Sequence, residues 1–155
     1  MEVIAIIPAR SGSKSIIDKN IINLNGHPLL AFSIAAAKLS TQIDRIIVST
    51  DSEDYAIIAR KYGAEVPFIR PKEISTDACT DRDFLLHAIK WLKNNENECP
   101  EYWVHLRPTT PLRNPEVIDA AINLLVNNDI ASSLRSGHKA PESPFKWFTK
   151  NKEGF

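Results

Sequence analysis

Short apolar runs alternate along the chain with longer segments in which apolar residues recur at helical spacing. The first run, residues 3–7, is β-branched and apolar on both faces, which is typical of a central parallel strand. Pro67 in the third run favours an edge position or a short extended segment. We predict five strands, at residues 3–7, 45–49, 65–69, 102–106 and 130–134.

Helices are predicted between these strands, and several carry start or stop signals. Ser52 is suited to cap one helix, and Gly63 follows the end of the same helix. The predicted helices cover 28–39, 52–62 and 81–92, and a fourth starts at 114–116 with a capping residue, a proline and an acid. Strands that alternate with helices predict an α/β fold, with a doubly wound, mostly parallel sheet and helices on both faces.

Composition and charge narrow the class of protein. Nineteen basic and nineteen acidic residues leave no formal charge to attract nucleic acid or an anionic membrane. A hydrophobic content of 43% provides enough apolar surface for a folded core. The longest apolar run is too short to cross a bilayer, and nothing resembling a signal peptide precedes it. We therefore expect a cytoplasmic protein without a nucleic-acid or membrane partner, in which Cys79 and Cys99 are free thiols.

The alternation of strands and helices stops after residue 136. Residues 137–155 contain two prolines, four lysines and the aromatic residues Phe145, Trp147, Phe148 and Phe155. We expect residues 1–136 to form one core that is incomplete at its carboxyl end. Residues 137–155 are expected to begin an excursion that continues further or packs on a partner subunit.

The loop after the first strand carries the clearest chemical signal. Ser11, Gly12 and Ser13 are small enough to let backbone amides approach a polyphosphate, and Arg10 and Lys19 flank them with positive charge. The spacing does not fit a Walker A loop, and only one glycine of the dinucleotide-binding fingerprint is present. A polar surface turn is the alternative. The position after a buried strand favours phosphate binding, since ligands of doubly wound sheets bind at the carboxyl ends of strands.

Four ordered motifs carry a family resemblance. They are IPARSGSK with KNI behind it (7–14 and 19–21), IVSTD (47–51), FIRP with Asp77 and Thr80 (68–71 onward), and LRPTTPLR (106–113). Together they resemble the cytidylyltransferases that activate sialic acids, namely the CMP-N-acetylneuraminate synthetases and their legionaminate and pseudaminate relatives. The resemblance runs from about residue 3 to 136. It implies a Rossmann-like nucleotidyltransferase fold whose core, 1–136, binds the nucleotide, and a homodimer formed through an excursion that begins near 137.

The resemblance also implies a reaction and a set of site residues. CTP and a nine-carbon 2-keto acid sugar would give a CMP-sugar and pyrophosphate, with Mg²⁺ as the cofactor. Arg10 and Lys19 would be catalytic, because positioning and charge neutralisation dominate such a transfer. Arg107 and Thr109 would contact the sugar. The nucleotide would be bound by Ala9, Arg10, Ser11, Gly12, Ser13, Lys19, Asn20, Arg70 and Thr80.

This sequence departs from the family pattern at three places. Ser15 stands where glycine is usual, and Ile17 and Asp18 replace a proline and a basic residue, which would reverse one charge near the phosphates. Arg107 stands where many members have glutamine. The family's metal-binding aspartates belong to a later segment, so the metal ligands of this chain are unknown.

Several alternatives stay open at this point. Asp77 could orient the base-binding stretch or cap the helix near Asp81, and Arg113 could bind substrate or tether its loop. Asp51 could reach a metal or simply begin a helix. At the level of function, the alternative to the enzyme is a non-catalytic nucleotide-binding module or a subunit-interaction module derived from the same fold.

Overall fold

The protein is described by a computed structural model of residues 1–97 and 100–137. Cys99 and the proposed excursion, apart from residue 137, lie outside the described residues. Cys79 is a free thiol, as predicted. None of the helices in the described ranges is both long and apolar enough to cross a membrane.

A three-stranded parallel sheet forms the centre of the molecule. Its strands are β1 (Val3–Pro8), β4 (Arg45–Ser49) and β5 (Tyr102–His105), in the order β4-β1-β5. Ile6 of β1 lies opposite Ile47 of β4 and His105 of β5. Residues 3–7 are completely buried, which confirms the prediction of a central strand.

The predicted third strand is present only as an extended segment beside β4. It makes two isolated parallel bridges, Glu65 to Ile47 and Ile69 to Thr50, on either side of Pro67. Proline cannot donate a ladder hydrogen bond, so the pairing is interrupted there, as the sequence suggested.

The predicted fifth strand, 130–134, is wrong. Ile130 is 96% exposed, and the segment is irregular. The side-chain oxygen of Asn128 accepts hydrogen bonds from the amides of Ile130 (3.0 Å) and Ala131 (2.9 Å). These amides therefore close a local turn and are not available to a neighbouring strand.

Four helices cover both faces of the sheet, as predicted: α1 (Leu29–Leu39), α2 (Glu53–Lys61), α3 (Asp81–Asn95) and α4 (Pro115–Val126). On one face, α1, α2 and α4 bury side chains such as Ile34, Ala56 and Ile122 against the odd-numbered residues of β1. On the other face, α3 packs Phe84, Ala88 and Leu92 against Ile4 and Ile6. The sheet is thus wound on both sides.

The capping signals read from the sequence hold in two helices, α2 and α4. Ser52 accepts the amide of Tyr55, and Asn114 accepts the amide of Glu116 before Pro115 at the first helical position. Pro28 precedes α1 as its cap residue and is not its first helical residue. A small hairpin of β2 (Asn23–Leu24) and β3 (His27–Pro28) leads into α1.

The order of the strands fixes where a ligand would bind. The chain leaves β1 through α1 to β4 on one side, and it then returns through α3 to β5 on the other side of β1. Such a reversal of direction opens a crevice at the carboxyl ends of the central strands. The loops that begin after Pro8 and after His105 face this crevice.

Candidate functional site

A cavity of about 240 Å³ lies at this crevice. Eight of the predicted site residues line it: Arg10, Ser13, Lys19, Asn20, Arg70, Thr80, Arg107 and Thr109. We call the stretch from Arg10 to Asn20 the β1 wall, and Asp81 together with Arg107, Pro108 and Thr109 the β5 wall. Three of the four motifs, far apart in the sequence, therefore meet around a single space, and the motif at 47–51 does not line it.

Three residues predicted in the loop after β1, namely Ala9, Ser11 and Gly12, do not line the cavity. Ala9 is completely buried, and its amide donates to the carbonyl of Ser49 (2.9 Å). The amide and hydroxyl of Ser11 both donate to Asp51, at 2.7 and 3.0 Å. Gly12 adopts a φ of +65°, which glycine accommodates without strain. These residues shape the loop, and Asp51 uses both carboxylate oxygens to hold it.

The carboxyl end of the β1 wall is a short 3₁₀ turn, Lys19–Ile21. Asn20 is buried, and its side-chain amide donates to the carbonyl of Arg10 (2.9 Å), which joins the two ends of the loop. Asp18 accepts a hydrogen bond from the hydroxyl of Tyr55 (3.0 Å). Asp18 is not among the residues that line the cavity, whereas its neighbour Lys19 is.

Arg70 forms the floor of the cavity and is only 4% exposed. Its guanidinium donates to the hydroxyl of Ser49 (3.1 Å) and to the Ser49 carbonyl, and it lies 5.2 Å from the ring centre of Phe84. Burial lowers the pKa of Arg70 to about 10, partly offset by the charge of Asp51. A solvated surface arginine is therefore excluded, and the site has a rigid positive group at its base.

Two cations of the β1 wall share one carboxylate. Asp77 forms ion pairs with Arg10 and with Lys14, the latter at 2.7 Å. Hydrogen bonds from Lys14 and then Arg10 lower the pKa of Asp77 below its usual value. Asp77 does not cap α3, because Thr80 and Asp83 form a capping box there. Of the two roles considered for Asp77, the capping of α3 is therefore wrong.

The β5 wall is more exposed. Arg107, whose side chain is 59% exposed, forms an ion pair with Asp81, and His105 lies 4.0 Å from the same carboxylate. Burial lowers the pKa of His105, and the charge of Asp81 opposes that shift. Arg113 does not line the cavity; it donates to Ser33 (3.0 Å), which in turn donates to the carbonyl of Arg107. Arg113 thus tethers the loop after β5, which is one of the two roles that the sequence left open for it.

Sequence reasoning missed six residues that line the cavity: Pro8, Asp81, Pro108 and three others near the start of α3. Thr76, Cys79 and Phe84 belong to the segment before α3 and to its first turns. Nothing in the local pattern marks them as site residues. They reach the cavity because α3 packs its amino end beneath the loop after β5, which is a tertiary effect.

The chain is similar in sequence to known proteins. A family model described as cytidylyltransferase matches residues 4–150. The chain belongs to the cytidylyltransferase family. It is 42% identical over 123 residues to an N-acylneuraminate cytidylyltransferase of Escherichia coli, with 79% of this chain and 28% of that protein covered. It is 38% identical over 128 residues to a pseudaminic acid cytidylyltransferase of Campylobacter jejuni, covering 83% of this chain and 55% of the relative.

The chain is also similar to a third relative and to a solved structure. The chain is 39% identical to a CMP-N,N'-diacetyllegionaminic acid synthase of Legionella pneumophila, covering 80% of this chain and 53% of that protein. A solved CMP:2-keto-3-deoxy-manno-octonic acid synthetase in complex with CTP shares the fold, with a TM-score of 0.70 at 15% identity and coverage of 84% of this chain and 49% of the other. This cytidylyltransferase chain thus spans about half the length of its relatives, or less.

The charged side chains that line the cavity of this cytidylyltransferase suit an anion better than a metal ion. Arg10, Lys19, Arg70 and Arg107 line the cavity, and Asp81 is the acidic side chain among the lining residues. Within the described residues, no group of three His, Cys, Asp or Glu side chains could hold a metal ion. Both carboxylate oxygens of Asp51 accept hydrogen bonds from Ser11, so the metal role considered for Asp51 has no support here. The described residues do not by themselves fit a Mg²⁺ site.

Proposed function

We propose that this chain is the nucleotide-binding part of a CTP-dependent cytidylyltransferase that activates a nonulosonic sugar. The observation that carries the proposal is the convergence of Arg10, Lys19 and Arg70 on one cavity at the switch point of the sheet. A nucleoside triphosphate carries several negative charges, and fixed cations in a partly enclosed site stabilise such a ligand without reorganisation.

The reaction proposed for the whole protein is a nucleotidyl transfer. The anomeric hydroxyl oxygen of the sugar forms a bond to the α-phosphorus of CTP, its proton passes to solvent, and the bond between the α-phosphorus and the pyrophosphate oxygen breaks. Arg10 and Lys19 would bind the phosphates and stabilise the charge that builds up on the leaving group. Ser13 and Asn20 line the same wall and can donate to phosphate or ribose.

Recognition of the base and sugar is assigned to the remaining lining residues. Arg70 and Thr80 are proposed to contact cytosine, whose ring offers two acceptors and one donor. Arg107 and Thr109, on the β5 wall, are proposed to contact the acceptor sugar, with the guanidinium suited to its carboxylate. The relatives are named for acylneuraminate, pseudaminic acid and legionaminic acid, which supports the nine-carbon class of sugar.

Three further features belong to the proposal. Mg²⁺ is proposed as the cofactor, accompanying the phosphates of the nucleotide, since this ion commonly binds through substrate phosphates and few protein groups. A homodimer and a cytoplasmic location are proposed from the family resemblance. The mass of the chain in solution, measured by light scattering, would test the dimer.

The decisive experiment is calorimetric titration of the chain with CTP, UTP, ATP and GTP, each with Mg²⁺. We expect CTP to bind at least tenfold more tightly than the other three, and Lys19→Ala to weaken CTP binding by about tenfold. Lys61→Ala is the matched control, because Lys61 is exposed at the end of α2 and does not line the cavity. Equal binding of all four nucleotides, or equal effects of the two lysine variants, would argue against the assignment.

A non-catalytic nucleotide-binding module is the second candidate. It is favoured by the departures of the loop after β1 from the family pattern at Ser15, Ile17 and Asp18. Both candidates bind CTP, so binding cannot separate them. Pyrophosphate release from CTP in the presence of N-acetylneuraminate would do so, because only the enzyme produces it.

A further inference from the structure

Two side chains at the start of α2 contact the two ends of the segment 11–18, which is part of the loop after β1. Asp51, just before the helix, accepts the amide and hydroxyl of Ser11. Tyr55, in the first turn, donates its hydroxyl to the carboxylate of Asp18 at 3.0 Å. The segment between Ser11 and Asp18 is thus hydrogen-bonded at both ends to residues at the start of α2. These residues do not line the cavity.

The backbone at Asp18 is left-handed, with a φ of +50° and a ψ of +36°. Among L-residues, asparagine and aspartate adopt this conformation more readily than the others, but it is still less favourable than the right-handed region, so the surrounding contacts help to hold it. The carbonyl of Asp18 accepts the amide of Ile21 at 2.9 Å, which closes the turn that contains Lys19 and Asn20. Lys19 and Asn20 reach the cavity from this turn.

Tyr55 is well placed to hold the turn. It is only 3% exposed, so its ring is fixed by packing in the core on the α1, α2 and α4 face of the sheet. Burial, followed by the hydrogen bond to Asp18, raises the pKa of the Tyr55 hydroxyl above its usual value, so the hydroxyl keeps its proton and remains a donor at neutral pH. Asp18 is exposed, and its carboxylate would have many orientations without this partner.

We propose that Tyr55 is a positioning residue for nucleotide binding, which acts through Asp18 by holding the left-handed turn that places Lys19 in the cavity. The inference rests on the function proposed above. It also gives the replacement of the basic residue by Asp18 a role: the acid is turned toward Tyr55 and stabilises the turn.

The first test compares two tyrosine-to-phenylalanine variants on the same helix region. Tyr55→Phe removes the hydroxyl that reaches Asp18, whereas Tyr62→Phe removes a hydroxyl that lies 3.0 Å from His27 at the other end of α2. We expect Tyr55→Phe to weaken CTP binding roughly fivefold to tenfold, and Tyr62→Phe to leave it unchanged. Hydrogen exchange at the Ile21 amide should become faster in Tyr55→Phe only.

A second set of variants separates the hydrogen bond from the backbone conformation. Asp18→Asn keeps an acceptor and tolerates the left-handed region, so it should bind CTP like the parent chain. Asp18→Gly keeps the conformation but lacks the acceptor, and it should show the same loss as Tyr55→Phe. Since Asp18 is exposed, these variants should fold even if Tyr55→Phe does not.

A double variant at Tyr55 and Lys19 decides whether Tyr55 acts by positioning Lys19. In a Lys19→Ala background, Tyr55→Phe should cause little further loss of CTP affinity, because the group that it positions is absent. Additive losses, or a Tyr55→Phe chain with unchanged affinity and unchanged exchange at Ile21, would overturn the inference while the proposed function stands. A parent chain that binds no CTP would overturn the proposed function, and this inference with it; the exchange data would still report whether Tyr55 holds the turn.

Discussion

The backbone of the β1 wall is fixed by hydrogen bonds to buried or packed groups, whereas the Arg107 side chain of the β5 wall is held by an exposed ion pair. Asn20 of the β1 wall is 7% exposed, and Tyr55, which contacts that wall from α2, is 3% exposed. In the β5 wall, the side chains of Arg107 and Asp81 are 59% and 45% exposed. Hydrogen bonds to buried partners resist solvent competition, while exposed ion pairs contribute little to stability.

This difference suits the two ligands that we propose. CTP would be common to the relatives, so the wall that binds its phosphates can be rigid. The relatives are named for different sugars, so the wall proposed to contact the acceptor can vary without loss of the fold. The following predictions test whether the two walls do differ in this way, from the largest expected effect to the smallest.

Arg70→Ala should have the largest effect. It removes a buried charged group that donates to Ser49 and stacks near Phe84, and it leaves the Ser49 carbonyl without that donor. We expect a loss of about 3 kcal/mol in the free energy of unfolding, measured by urea denaturation. Arg60→Ala is the control, because Arg60 also donates to a backbone carbonyl (Val66, 3.0 Å) but its side chain is 47% exposed. A loss below 1 kcal/mol for Arg70→Ala would contradict this account.

Residues of both walls were named from the sequence, because Arg10 and Lys19 on one side and Arg107 and Thr109 on the other line the cavity. The loop after β1 follows a buried apolar strand, and small residues flanked by Arg10 and Lys19 are recognisable without a structure. The contribution of Phe84 and Cys79 was not predictable, because it depends on how α3 packs across the sheet. The false strand at 130–134 shows a related limit, since a side-chain acceptor at Asn128 outweighed an apolar pattern.

Asn20→Ala should have the next largest effect. Its side chain donates to the carbonyl of Arg10 at 2.9 Å, and the substitution leaves that carbonyl without this donor in a partly buried place. We expect a loss of about 1.5 kcal/mol in the free energy of unfolding, together with weaker CTP binding. Asn95→Ala removes the same type of bond, to the carbonyl of Trp91 at 2.8 Å, but at the exposed end of α3. A similar loss in the two variants would show that the loop is no better fixed than a helix end.

Acidification should destabilise the protein through two histidines. Burial lowers the pKa of His87 and of His105, so both resist protonation in the folded state, whereas the unfolded chain takes up protons near pH 6.5. The unfolded state therefore binds more protons as the pH falls below about 6.5, and stability decreases, by at most about 1.4 kcal/mol per pH unit for each histidine. His105→Gln should reduce the slope of stability against pH between 7 and 5. An unchanged slope would mean that His105 protonates as freely as in the unfolded chain.

Asp77→Asn should tighten nucleotide binding. The carboxylate forms ion pairs with Arg10 and Lys14, and a triphosphate must compete with it for Arg10. We expect CTP affinity to rise about threefold, which is the scale of an exposed ion pair. Glu73→Gln removes the same charge from an exposed position in the neighbouring 3₁₀ turn, so it controls for general electrostatics. Weaker binding in Asp77→Asn would indicate that Asp77 supports the nucleotide and does not compete with it.

Arg107→Gln should have the smallest effect, and it tests the comparison most directly. The substitution introduces glutamine, the residue that the family resemblance implies at this position, and breaks the exposed pair with Asp81. We expect a change of less than about 0.5 kcal/mol in the free energy of unfolding and less than a twofold change in CTP affinity. Asp81→Asn should behave alike, because it breaks the same pair from the other side. A loss above 1.5 kcal/mol in either variant would show that the β5 wall is as firmly built as the β1 wall, and the division into a rigid nucleotide wall and a variable acceptor wall would then be wrong.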